Sequence, residues 1–225
     1  MFTLIIMCYS TQSSLTAWIV SVVICFYLWI RNNNFDRWNA GFIFCFSIIQ
    51  LWEACIWYNK TNEPNLLNAD LNSELFVKLI LISLFVQPLL ATYYAYHATG
   101  SQILKIMTGV YVFLLLYAIY RVFTEHFHAS IGTNGHLVWN SGLRDESGSS
   151  TDPDFINGNG TYPFVGTLYL IGMCLGFLWF LPDLLPTLIT VIVTALWAFA
   201  NSSTREFGSY WCHVAVGYAF IALLM

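Results

Sequence analysis

Seven apolar stretches, most of them close to twenty residues long, constrain this chain more than anything else in it. They cover approximately 14–30, 39–58, 76–97, 103–122, 163–181, 184–200 and 207–225. A helix rises 1.5 Å per residue, so about twenty residues cross a hydrocarbon core of roughly 30 Å. Lipid offers no partner to a free N–H or C=O, so such runs must be helices that satisfy their own backbone. The expectation is an all-α membrane protein, a seven-transmembrane-helix bundle. Only 9% of residues are charged, against about 25% in soluble domains. Eight Lys+Arg without a basic cluster give no footprint for nucleic acid. The partner implied is the lipid bilayer. The joint LPDLLP at 181–186 is tight enough that the fifth and sixth runs also fit a single bent, re-entrant unit.

The start, MFTLIIMCYS, lacks a basic region and is too short to span. It reads as an interfacial or re-entrant segment, with a cleaved leader as the alternative. An N-out, C-in orientation puts Arg31, Arg37 and Lys105 inside and Lys60, Lys78, Arg121, Arg144 and Arg205 outside. That count runs against the positive-inside rule, although Arg144 lies in a long loop that the rule largely exempts. The acceptor sequons at Asn59, Asn159 and Asn201 fall on the same outer side and favour N-out.

Residues 123–162 form the one long polar segment. Apolar residues around Asn134–Gly135 predict a hairpin lid over 130–140. The following RDESGSSTDPDFINGNGTYP reads as flexible. Its DPDFINGNG lacks the spacing of a calcium loop, because Ile156 and Asn157 stand at the fifth and sixth positions.

Gln50, Glu53 and Trp57 recur at i, i+3, i+7 and share one face of the second run. A carboxylate in a span costs roughly 2.5–3.5 kcal/mol on insertion scales, so it turns inward and marks a functional site by default. Counting from the span ends puts His213 at a similar outer depth. The two side chains are expected to pair, or Glu53 stays neutral and donates to a carbonyl. With Tyr210 they outline an outward-facing polar pocket for a ligand, ion or metal. The plainer reading is a packing hydrogen bond of about 0.6–2 kcal/mol. Gln87–Pro88 kinks the third run, and Gln87 can satisfy the freed backbone locally or reach across to the second run.

Other features carry less. Cys8, Cys55 and Cys212 lie near outer ends and allow one disulfide if the outside is oxidising; as thiols they are small apolar residues. Glu125 and His128 stand close enough for a metal, but as solvated polar groups at a span end they need none. His97 after TYYAY reads as part of an interfacial aromatic belt. Gly172-xxx-Gly176 permits close helix packing, in the bundle or in a homo-oligomer. No P-loop, Rossmann or serine-elbow motif is present, no cofactor is implied, and the last run has no lysine for a retinal Schiff base.

MCYSTQSS at 7–14, LWE at 51–53 and VQPLL at 86–90 resemble a family of small multi-pass membrane proteins of bacteria and large DNA viruses of protists. Its members begin MC(W/Y)S, carry Glu in the second span and QP in the third. HLVWN at 136–140 and SYWC at 209–212 extend the resemblance. The six residues before Met7 depart from it and suggest an upstream extension or an early initiation codon. The resemblance implies a membrane bundle and no assigned activity.

The leading expectation is a channel-, transporter- or receptor-like protein with a pocket around Glu53. The alternatives are a membrane-embedded, metal-dependent lipid hydrolase and a structural protein of a viral or host-derived membrane. Seven-span lipid amidases resemble the outline but require a spaced histidine pair in the last span; here His213 has Gly217 at i+4.

Overall fold

A computed structural model describes residues 10–62, 66–131, 136–141, 162–180, 183–201 and 207–225. In chain order these form α1 (Thr11–Arg31), α2 (Asp36–Asn62), α3 (Leu66–Thr99), α4 (Gln102–Thr124), β1 (Phe127–Ile131), β2 (Leu137–Ser141), α5 (Tyr162–Trp179), α6 (Leu185–Asn201), α7 (Phe207–Val214) and α8 (Gly217–Leu224). The fold is all-α apart from one hairpin, and it is compatible with a polytopic membrane protein. Among the described residues five helical segments are long and apolar enough to cross a membrane, in α1 to α4 and over the α7–α8 run Phe207–Leu224; α5 and α6 contribute shorter apolar segments, Leu168–Trp179 and Leu185–Asn201.

Helix α2 is the spine of the bundle. It packs on α1, α3, α7 and α8. Asp36, Asn39, Ile43, Phe46, Gln50, Glu53 and Trp57 alternate three and four residues apart, and all are buried. That spacing keeps one stripe turned inward along the helix. Both ends of the stripe are polar and its middle is apolar. The middle is filled with rings: Phe42 lies 5.1 Å from Phe177 and 5.5 Å from Tyr218, and Phe46 lies 5.5 Å from Trp211. Lipid tails are as apolar as these rings, so close van der Waals contact holds the centre rather than exclusion of water.

The glycine pair of α5 sets how closely it approaches its neighbours. A Cβ on Gly172 would run into the Tyr111 ring and stand 2.6 Å from Pro88 Cβ, and one on Gly176 would stand 3.0 Å from the Ala91 carbonyl oxygen. The pair therefore packs inside the bundle, against α3 and α4.

The last span differs from the continuous helix expected over 207–225. It breaks at Ala215–Val216, where Val216 N bonds His213 O, Tyr218 N bonds Ala215 O and Ala219 N bonds Val216 O, each three residues back. The tighter bonding separates an eight-residue α7 from α8.

At the end away from the hairpin, Arg31 holds the α1–α2 turn. Its guanidinium grips Asp36 at 2.7 and 2.9 Å and donates to the carbonyls of Leu223 and Ala222 at the end of α8. At the other end β1 and β2 pair antiparallel from Phe127↔Ser141 to Ile131↔Leu137. Strand β1 lies on α3 and β2 on α7. The turn expected at Asn134–Gly135, the flexible stretch after it and the DPDFINGNG segment lie outside the described residues, as do residues 1–9.

Candidate functional site

Gln50 and Glu53 stand one turn apart on the inward stripe of α2, both 0% exposed. Ser209, Cys212 and His213 face them from α7, where i, i+3, i+4 spacing gathers them on one side. Gln50 Nε2 donates to Glu53 Oε2 at 2.9 Å, and Gln50 Oε1 lies 3.2 Å from His213 Nδ1. The amide thus turns its N–H toward Glu53 and its oxygen toward the imidazole. Ser209 and Cys212 are the α7 neighbours of the Glu53 carboxyl, and Glu53 Oε1 is buried without a hydrogen bond among the described residues. The expected direct Glu53–His213 pair is thus replaced by a relay through Gln50. The two ends of the relay belong to different helices, and one planar amide fits both.

A second polar step adjoins the first. Gln87, also fully buried, donates to the Cys45 carbonyl at 3.2 Å and accepts from Tyr169 Oη at 2.5 Å. Of the two partners expected for Gln87 beside Pro88, it takes the backbone of α2. Tyr169 on α5 also faces α7, its ring 6.3 Å from that of Trp211, and lies within electrostatic range of Cys212. Its hydroxyl and that of Ser209 were not singled out in the sequence. A tyrosine in the run YPFVGTLYLIGMCLGFLW was the available signal for Tyr169. Ser209 was marked only by its place three residues before Cys212.

No direct bond places Tyr210 in the Glu53 group. About 100° around α7 from Ser209, it packs on the His136 ring at 4.6 Å, and its hydroxyl accepts from Trp197 Nε1 at 3.2 Å. Trp57 is buried one turn beyond Glu53, toward the hairpin end. Of the residues expected to line an outward-facing pocket, Gln50, Glu53 and Gln87 are fully buried. His213 is 3% exposed, and the hairpin covers the end of α7, with Trp139 within 2.8 Å of where a Gly208 Cβ would stand.

No family model, curated protein or solved structure matches the chain. The resemblance described above therefore rests on its own motifs, and the site must be read from its chemistry.

Among the described residues, no Lys or Arg forms an ion pair with Glu53, and no three His, Cys, Asp or Glu converge on a metal position. Glu125 pairs with Arg121 rather than turning to His128, and His126 lies 3.4 Å from Glu74. Cys55 and Cys212 are free thiols. Cys55 sits two positions from Glu53, about 200° around α2, and so faces away from α7. Cys8 and Asn159 lie outside the described residues. Asn59 lies in the last turn of α2 and Asn201 ends α6, both at the hairpin end, where Asn201 is exposed and donates to the Trp197 carbonyl at 2.8 Å.

Proposed function

We infer that this protein handles a small ion or ligand across a membrane at the buried group around Glu53, as a channel or transporter does. The observation that carries this reading is a fully buried carboxyl with no Lys or Arg partner among the described residues. Such a group is expensive to keep in a span unless it has a task. Supporting it is the break in the last span beside His213. Interrupted helices at mid-membrane are where transporters place ion sites and movable segments. The hairpin end is read as the outer face, with N-out and C-in, because Asn59 and Asn201 both sit there.

Flux in reconstituted vesicles tests the reading. Wild-type protein should move an ion in a panel of proton, sodium, potassium and chloride, and Glu53→Gln, a shape-conserving change, should abolish it. Glu53-independent flux, or none of any ion, would sink it.

A further inference from the structure

We propose that the ion handled at Glu53 is a proton. This rests on the reading of Glu53 as an ion site and names its cargo. A buried carboxylate without a cationic partner must be neutralised by something that arrives with positive charge, and the neighbours decide what fits. A metal cation needs a shell of several oxygens. Here Gln50 turns its N–H, not its oxygen, toward the carboxyl, and a donor hydrogen at that place repels a cation. Cys212, the His213 ring and the Trp57 side chain supply no oxygen either, and the Ser209 hydroxyl adds one where a shell of several is needed.

A proton suits the same neighbours. Gln50 keeps its bond to Oε2 in either state. Oε1 is buried and makes no hydrogen bond among the described residues, and the Ser209 hydroxyl stands near the carboxyl from α7. A hydroxyl donates to a carboxylate and accepts from a carboxylic acid, so Ser209 serves both forms by rotating. Loading is simple: a hydronium gives its proton to Oε1 and leaves as water, and release at the other face reverses this with no redox step. The titratable groups facing Glu53 are Cys212 and His213 on α7, with Tyr169 on α5 next beyond Cys212. All the partners of Glu53 on α7 ride on an eight-residue helix that ends at the Ala215–Val216 break. Movement of α7 together with its hairpin cover would therefore open Oε1 to water.

Infrared spectroscopy of the reconstituted protein tests this. Wild type should show a carbonyl band of a protonated carboxyl that Glu53→Gln removes while circular dichroism stays unchanged. Proton flux, read by an entrapped pH dye, should disappear in the same variant. The proposal is overturned if wild type lacks that band from acid to neutral pH. It is also overturned if Glu53-dependent flux is of sodium or potassium without protons, an outcome that leaves the ion-site reading standing. If no ion flux depends on Glu53, both fall.

Discussion

Glu53 on α2 and His213 on α7 are joined through Gln50 rather than to each other, the amide lying 2.9 Å from one and 3.2 Å from the other. One side chain thus couples the buried carboxyl to the short helix beneath the hairpin. What happens at Glu53 is transmitted to α7 through this amide, and the first prediction concerns it.

Gln50→Leu removes both bonds at once and leaves polar groups buried. Interhelical hydrogen bonds in membranes average about 0.6 kcal/mol and reach roughly 1.7 kcal/mol. Thermal unfolding in detergent should show a loss of at least that size. A double-mutant cycle pairing Gln50→Leu with His213→Phe should return a coupling in the same range. Additive losses would mean that the relay carries no energy.

The seat of α5 is predicted to be intolerant of a single methyl. Gly172→Ala pushes into Tyr111 and Pro88, and overpacking of this kind costs typically 1–3 kcal/mol. Gly109 on α4 has nothing within 4 Å of its Cβ position, so Gly109→Ala should be neutral or stabilising by up to about 1 kcal/mol. Equal melting shifts for the two would contradict the packing described.

Arg31 is predicted to hold the end opposite the hairpin. Arg31→Ala strips the buried Asp36 carboxylate of its fork and leaves the carbonyls of Ala222 and Leu223 without that donor. Leaving such groups unsatisfied costs about 1–3 kcal/mol. Arg31→Lys keeps the charge but not the bidentate geometry, and its melting temperature should fall between the two.

The hairpin should control access to the site. In a variant whose only cysteine is Cys212, the thiol is expected to react slowly with maleimide because it is buried beside Glu53. Trp139→Ala, which uncovers Gly208 at the start of α7, should speed that reaction. Unchanged labelling would show that the strands do not act as a cover.

Much of the architecture was legible because the bilayer fixes helix length, and length survives in sequence as the spacing between polar breaks. The inward stripe of α2 was legible for a similar reason: Gln50, Glu53 and Trp57 cannot all face lipid. Depth counting brought His213 to the level of Glu53, but depth says nothing of rotation about α7. Tyr210 was therefore grouped with the site although its hydroxyl goes to Trp197, while Ser209, one residue earlier, faces Glu53. The break at Ala215–Val216 was hidden because no proline marks it and the run AVGYAFIALL is apolar throughout. Tyr169 was missed because its role depends on α5 settling against Pro88 through Gly172, a contact between helices far apart in sequence.

Charge displacement on a solid-supported membrane tests the central claim most directly. A rapid pH step applied to wild-type vesicles should produce a transient current as Glu53 takes up or releases a proton, and Glu53→Gln vesicles with the same protein content should produce none. Identical traces from the two proteins would contradict the assignment of Glu53 as the ion-handling group.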